Sequence, residues 1–155
     1  MGLPLSARPR IMLPGPFPRS RVNLALLTSS LAPYPLGGAE RQASETARRL
    51  AARGHQVTVF ARRMLESQPH DSHSDGVRWV QCDASTLPVW SFFSHRRSFQ
   101  KVWATERQND YEVVLAYELV INGVLGLNAV RDGMPLVSWV RSEADVRLSR
   151  SRKYR

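Results

Sequence analysis

The sequence predicts an α/β protein in which a parallel β-sheet is flanked by helices. Apolar runs rich in β-branched residues alternate with helix-like runs, the pattern of βαβ units. The first run, residues 22–28, is almost continuously apolar, as in a strand buried on both faces of a sheet. Residues 39–50 instead repeat their apolar side chains at helical spacing. Together these observations predict a Rossmann-like parallel sheet.

A proline-containing loop at residues 29–36 is expected to lead from the first strand into the first helix. That helix is predicted from about Gly38 to Arg53, and the apolar stripe on its buried face consists mostly of alanine, which allows close packing on the sheet. Gly54 stands where a left-handed C-terminal cap is needed. The β-branched and aromatic run at residues 56–60 is the predicted second strand.

The rest of the chain continues the alternation. A polar loop is predicted at residues 61–76, followed by an edge strand at 77–81, where apolar and polar side chains alternate. The later predicted elements are a helix at 91–108, a strand at 112–117, an apolar helix ending at Gly133 and a strand at 135–140.

Ligands of such sheets bind at the carboxyl ends of the strands. The segments expected to carry a site therefore follow Thr28, Phe60, Tyr117 and Val140.

The positive charge is concentrated at the two ends of the chain. The formal net charge is +9; residues 1–21 carry four arginines and no acid, and residues 141–155 carry six basic and two acidic groups. We predict a disordered Pro/Arg-rich tail at 1–21, a folded domain at 22–145 and a basic tail or truncated helix at 146–155. Solvated tails are the favoured interpretation of these ends. A non-catalytic α/β module that binds nucleic acid or anionic membrane through them stays open.

Several function classes lack their sequence signatures. There is no G-x-G-x-x-G, no G-K-[ST] and no G-x-S-x-G, and no acidic residue ends the second strand, so dinucleotide-dependent and hydrolase chemistry are not supported. The single cysteine, Cys82, excludes an internal disulfide and favours a reducing, cytoplasmic compartment. The His/Asp-rich run at residues 70–75 matches no structural zinc spacing, so no metal is predicted.

The turn into the first helix contains a glycine pair, Gly37 and Gly38. Glycine can adopt positive φ, and backbone N–H groups left free at a helix N-terminus attract anions. A tight corner that binds nothing explains the pair equally well.

The wider pattern resembles the N-terminal domain of family-4-type glycosyltransferases of the GT-B fold. The resemblance rests on LALLTSSLAPYPLGGAERQASETARRLAARGHQVTVFA, in which residues 50–59 match the usual helix end and second strand almost residue for residue. The later run YEVVLAYELVINGVLGLNAVRDGMPLVSWVR is similar to the strand–helix–strand unit of the family. The likeness covers about residues 22–141, and residues 62–110 match only loosely.

This resemblance implies an enzyme that transfers a sugar from a nucleotide-sugar donor to an acceptor, usually with retention and without a metal or other cofactor. The chain would be the acceptor-side portion, an incomplete half of the GT-B architecture. The C-terminal domain, which in the family carries the donor nucleotide site and paired glutamates, is not in this sequence. The chain is therefore expected to be a fragment that is inactive alone, with its catalytic residues unknown.

By position, the resemblance implies a substrate-binding set of Gly37, Gly38, Glu40, Arg41, Glu118 and Arg141. The glycines would approach the donor phosphates, with the next two residues flanking them at the helix start, and Glu118 would lie at the rim. Arg141 stands where many members have histidine; it could contact a phosphate or an acidic acceptor, but its high pKa excludes proton transfer.

Residues 89–103 interleave aromatic and basic side chains. They predict either an interfacial helix that touches anionic lipid or a crossover helix with its aromatics in the core and Arg96, Arg97 and Lys101 in water. We favour the second. The expected partners are a nucleotide-sugar and a glycan or lipid-linked acceptor, with peripheral contact at the inner face of the membrane as the further option and no specific nucleic acid.

Overall fold

The computed structural model describes residues 20–31, 37–85, 88–118 and 121–139. In this part of the chain six strands form one sheet in the order β3-β4-β2-β1-β5-β6. The elements are β1 (Asn23–Leu27), α1 (Gly38–Ala52), β2 (Gln56–Arg63), β3 (Asp71–Ser74), β4 (Val77–Asp83), α2 (Pro88–Glu106), β5 (Val113–Tyr117), α3 (Ile121–Arg131) and β6 (Leu136–Trp139), with a short 3-10 helix, Arg107–Asn109, after α2. All pairings are parallel except that of β3 with β4, which confirms the predicted α/β class.

The region predicted as a polar loop contains a strand. β2 continues to Arg63, and β3 forms an antiparallel hairpin with β4, so β4 lies inside the sheet and its prediction as an edge strand was wrong. Two residues, Asp75 and Gly76, connect β3 to β4 with φ values of 53° and 73°. An Asp-Gly pair with positive φ at both positions is the preferred two-residue hairpin turn.

Substituting Gly76 with alanine is expected to destabilise the protein by about 1–2 kcal/mol, because the alanine would have to adopt a left-handed backbone. Space is not the limitation, since a Cβ there would lie 3.5 Å from Ala51 Cβ. Gly76→Asn is the matched control, because asparagine adopts the left-handed backbone region more readily than alanine does. Urea unfolding of both variants checks the prediction; equal losses would contradict it.

The helices cover the two faces of the sheet unequally. α1 packs on one face, where Ala43 and Ala47 are fully buried, as the alanine stripe predicted. α2 and α3 pack on the other face, because right-handed crossovers that run towards opposite sheet edges place their helices on opposite faces. The main core lies beneath α2 and contains four contacting rings: Phe60, Phe99, Trp103 and Tyr111.

The aromatic residues of α2 divide between the core and the surface. Phe99 and Trp103 are buried, as the favoured interpretation predicted. Trp90 and Phe93, in contrast, are 63% and 60% exposed, so that interpretation is wrong for the first turns of the helix. No helix in the described part of the chain is long and apolar enough to cross a membrane.

The strand order reverses at β1. The chain moves from β1 to β2 towards one edge of the sheet, and from β5 to β6 towards the other. Connections that leave two adjacent parallel strands in opposite directions open a crevice at their carboxyl ends. The crevice of this sheet therefore lies above the ends of β1 and β5.

Candidate functional site

Three polar residues meet at the carboxyl ends of β1 and β5. Ser29 Oγ donates a hydrogen bond of 2.8 Å to Glu118 Oε2. Asn122, in the first turn of α3, donates from Nδ2 to the carbonyl oxygen of Tyr117, and the same nitrogen lies 3.4 Å from Ser29 Oγ and 3.5 Å from Glu118 Oε2. We call Ser29, Glu118 and Asn122 the switch-point triad, because they occupy the crevice where the strand order reverses.

Glu118 is held in an unusual backbone conformation. Its φ is 79°, in the region that L-residues with a side chain rarely adopt. Its N–H donates to the carbonyl of Trp139 at 3.3 Å, and its own carbonyl accepts from the N–H of Gly123 at 3.1 Å. A strained backbone fixed on both sides directs the carboxylate into the crevice, and such strain concentrates at functional sites.

The triad has an unused hydrogen-bond acceptor. Asn122 is 1% exposed, and its Oδ1 is buried with no hydrogen-bond partner among the described residues. A buried amide oxygen without a donor is costly to the folded protein. The orientation of the amide is instead fixed by the acceptors around Nδ2, which are the Tyr117 carbonyl, Ser29 Oγ and Glu118 Oε2.

A second polar group lies beside the triad at the end of β2 and the start of α2. Arg62 donates from Nη1 to Ser91 Oγ at 2.7 Å, and its backbone N–H donates to the carbonyl of Ser29 at 3.3 Å, which joins the two groups. His95 is buried beneath them, and its Nδ1 has no partner in the described structure. Burial, and then the charge of Arg62, lowers the pKa of His95 to about 4, so this imidazole is neutral at pH 7.

A cavity of about 440 Å³ opens at this edge of the sheet, lined by residues that include Arg62, Arg63, Asp83 and Ser91. Arg63 is paired with Asp83 at 2.7 Å, whereas Arg62 makes its side-chain bonds to neutral groups. The guanidinium of Arg62 is therefore the uncompensated cation of this cavity in the described structure, and it can bind an anionic group.

The glycine turn differs from its prediction in conformation. Gly37 is the N-cap of α1, with φ −72° and ψ 178°, so the expected positive φ is not used there. A Cβ on Gly37 would lie 2.7 Å from Glu40 Oε2. The absence of a side chain thus gives room to the Glu40 carboxylate, which folds back over the N-terminus of α1. That carboxylate occupies the position an anion would take at the positive end of the helix.

The other residues of the predicted set lie apart from the triad. Arg41 is exposed on the side of α1, and the acid one turn further along that helix, Glu45, pairs with Arg49 at 2.7 Å. No hydrogen bond joins Glu40 or Arg41 to Glu118 among the described residues. Arg141 lies outside the described part of the chain, as do residues 1–19 and 140–155, which hold nearly all of the basic charge of the two ends.

The His/Asp-rich run forms ion pairs. Asp71 accepts from Arg78 at 2.6 Å, and Asp75 accepts from Arg48 at 2.9 Å. Within the described ranges no group of three or more His, Cys, Asp or Glu side chains is placed to hold a metal ion.

Sequence reasoning missed five residues of this edge: Ser29, Arg62, Ser91, His95 and Asn122. Ser29 and Arg62 come shortly after predicted strands, so the rule that ligands bind at strand ends could have selected them. His95 and Asn122 are single polar residues in helices, and nothing in their local pattern distinguishes them.

The chain matches a family model described as a glycosyl transferase 4-like domain over residues 37–155. No curated protein sequence matches it significantly. Among solved structures, a sucrose-phosphate synthase from Thermosynechococcus elongatus superposes with a TM-score of 0.68 at 18% identity, covering 86% of this chain and 36% of that one. Os79 from O. sativa, solved in complex with UDP, gives a TM-score of 0.52 at 18% identity, covering 81% of this chain and 30% of Os79.

The C-terminal domain of a hydrogenase from Pyrococcus furiosus also superposes, with a TM-score of 0.51 at 14% identity, covering 81% of this chain and 97% of that domain. At such identities these likenesses show the fold alone, and the chain spans about a third of the length of the synthase. The predicted Rossmann-like fold, shared with GT-B glycosyltransferases, is confirmed. The family match extends over most of the sequence, and the chain therefore belongs to the glycosyl transferase 4-like domain family.

Proposed function

We propose that this chain is the acceptor-side portion of a retaining glycosyltransferase that transfers a sugar from a nucleotide-sugar donor, without a cofactor of its own. The observation that carries the proposal is the switch-point triad, a carboxylate oriented by a hydroxyl and an amide at the point where parallel sheets bind ligands. A carboxylate accepts hydrogen bonds from sugar hydroxyls, so Glu118 would bind the acceptor or the transferred sugar. The solved complex of Os79 with UDP supports a nucleoside diphosphate as the donor part.

The donor phosphates are proposed to lie near the start of α1. The N–H groups of Gly37 and Gly38 would receive them once Glu40 rotates away, because a phosphate and the Glu40 carboxylate compete for the same end of the helix. Arg41, one turn into the helix, and Arg141 would add positive charge. We propose a cytoplasmic location, which the single cysteine of the chain favours.

The test joins this chain to the donor-binding domain of a family member and measures turnover of nucleotide-sugars. We expect sugar transfer from at least one donor, and none from this chain alone. A joined protein that folds and binds the nucleotide but transfers no sugar to any glycan or lipid-linked acceptor would count against the proposal.

A contact with the membrane is proposed for the first turns of α2. Trp90 and Phe93 are exposed, and Arg97 and Lys101 continue the same stripe of the helix towards its end. Exposed aromatic side chains beside basic ones suit the boundary between lipid headgroups and acyl chains. Because α2 begins at the carboxyl edge of β4, this surface would hold the crevice close to a lipid-linked acceptor.

Replacing both Trp90 and Phe93 with serine is expected to reduce binding to vesicles of anionic phosphatidylglycerol at least tenfold, because two large apolar side chains are lost from the contact. Co-sedimentation with the vesicles measures it. The double variant Leu127→Ser with Val130→Ser is the matched control, since these two apolar side chains are 50% and 46% exposed but lie on α3. If the control loses as much binding as the double variant, α2 is not the contact surface.

A further inference from the structure

A groove of about 490 Å³ lies on the α1 face of the sheet, between α1 and the β3–β4 hairpin. Arg41, Ser44 and Arg48 line its helical side, and Ser72, Trp79 and Gln81 line the side formed by the strands. A volume of this size suits a small organic ligand. We call it the hairpin groove.

The groove follows from the way the hairpin extends the sheet. Arg41, Ser44 and Arg48 are spaced by three and four residues, so they share one side of α1. Trp79 and Gln81 alternate along β4 and therefore face the same side of the sheet. α1 packs over β1 and β2, and the hairpin continues the sheet past the helix, which leaves a trough between them.

The aromatic floor of the groove is fixed before any ligand arrives. Trp79 is 6% exposed, and its indole Nε1 donates to Ser74 Oγ at 2.8 Å. The guanidinium of Arg48 lies 5.8 Å from the centre of the Trp79 ring and is anchored by Asp75 at 2.9 Å. Arg48 covers the Trp79 ring, so a ligand ring would meet the Arg48–Trp79 pair as one preorganised surface, which reduces the entropy cost of binding.

The groove also carries one uncompensated positive charge. Glu45, the acid nearest to Arg41 along the helix, is paired with Arg49. Arg41 has no ion-pair partner among the residues that the structure describes. Its guanidinium is therefore available to a carboxylate, sulfonate or phosphate.

Gln81 adds an unused acceptor to the wall of the groove. The residue is 5% exposed, and its Oε1 is buried without a hydrogen-bond partner in the described part of the chain. Buried polar atoms in proteins are nearly always paired, so an unpaired one that lines a groove points to a missing donor. A ligand N–H or O–H would supply that donor.

We propose that the hairpin groove binds a small aromatic anion that carries a hydrogen-bond donor. The ring packs against the Arg48–Trp79 pair, the anionic group pairs with Arg41, and the donor bonds to Gln81 Oε1. This inference does not depend on the proposed sugar transfer, but both proposals use Arg41, so the groove ligand and the donor phosphates would compete for its guanidinium.

The test uses the full chain and two probes: anilinonaphthalene sulfonate, which has aromatic rings, a sulfonate and an N–H, and naphthalene sulfonate, which lacks the N–H. Binding is located by the indole N–H cross-peaks of the four tryptophans in ¹⁵N NMR, with Trp79 assigned from Trp79→Phe. We expect both probes to shift the Trp79 cross-peak more than the other three.

Two variants separate the two polar contacts. Arg41→Gln is expected to weaken the binding of both probes about tenfold, because each probe loses a charge-assisted hydrogen bond. Arg53→Gln, another exposed arginine of the α1 region, should leave both affinities unchanged. Gln81→Leu should weaken the binding of anilinonaphthalene sulfonate about fivefold without affecting the binding of naphthalene sulfonate. It should not lower the urea midpoint, because it removes an unpaired buried oxygen.

Three results would overturn the proposal. The largest shift could fall on a tryptophan other than Trp79. Arg41→Gln and Arg53→Gln could have equal effects on the affinities. Gln81→Leu could change the affinities for the two probes equally. The Gln81 oxygen would then not accept a hydrogen bond from the N–H that only one probe carries.

Discussion

Replacing Phe60 with alanine is expected to lower the free energy of unfolding by about 4 kcal/mol. Phe60 is 1% exposed and contacts three rings, with centroid distances of 5.8 Å to Phe99, 5.7 Å to Trp103 and 6.1 Å to Tyr111. The three rings cannot move into the space that Phe60 leaves, because Trp103 is stacked between the other two and donates from Nε1 to Asp132 at 3.0 Å. A cavity therefore remains, and its cost adds to the lost burial.

Urea unfolding followed by circular dichroism measures this loss. Phe93→Ala is the matched control, because the same atoms are removed from a side chain that is 60% exposed. We expect the control to change the free energy of unfolding by less than about 0.5 kcal/mol. Equal losses in the two variants would contradict the assignment of the main core to the face under α2.

The strands and helices could be predicted because their patterns are local. The stripe that contains Ala43 and Ala47 defines the buried side of α1 without knowledge of its partner, and both residues are fully buried. Gly54 has a φ of 95°, as the predicted left-handed cap requires. Each of these features depends on a few residues that are adjacent in the chain, so the sequence alone is sufficient to predict it.

The residues of a strand do not determine which strands lie beside it in the sheet. The prediction that β4 is an edge strand failed for that reason. Its alternating pattern suggested an edge strand, because Arg78 interrupts the apolar residues. In the folded chain Arg78 is half-buried and held by Asp71, on the other strand of the hairpin, and by Glu106 at the end of α2, and these carboxylates raise its pKa above the usual value. A polar residue inside a sheet cannot be recognised until its partners are known. The hairpin itself had a local signal, the Asp75-Gly76 pair, which was overlooked.

The candidate site was predictable to the same limited extent. The family resemblance put Glu118 at the rim, just after a strand; in the structure it lies at the carboxyl end of β5, and its role in binding stays a prediction. Its partner Asn122 lies in an apolar helix, and its importance follows only from the packing of α3 on β5. The glycine pair illustrates a different limit: the turn was located correctly, but its sequence could not show that the Glu40 carboxylate covers it.

Glu118→Gln is expected to reduce kcat/KM for sugar transfer by the joined two-domain protein roughly tenfold to a hundredfold. The carboxylate is the proposed acceptor for a sugar hydroxyl, and a hydrogen bond to a charged group contributes about 1.5–3 kcal/mol. Glutamine keeps the shape of the side chain and an oxygen that accepts from Ser29 Oγ, so the fold should be retained. The charge is lost, and with it the stronger bond to the substrate.

The measurement is a steady-state assay of transfer, with circular dichroism to confirm that each variant is folded. Glu112→Gln is the matched control, because Glu112 also accepts a hydrogen bond, from the N–H of Asn23 at 2.9 Å, but lies at the opposite, amino-terminal edge of the sheet. The control should keep the kcat/KM of the unchanged protein. If Glu118→Gln also keeps it while the joined protein transfers sugar, the triad does not bind the reacting sugars, and the neighbouring group of Arg62 and Ser91 becomes the site to test. That outcome would leave the membership of the family intact and would move the substrate towards the cavity at the ends of β2 and β4.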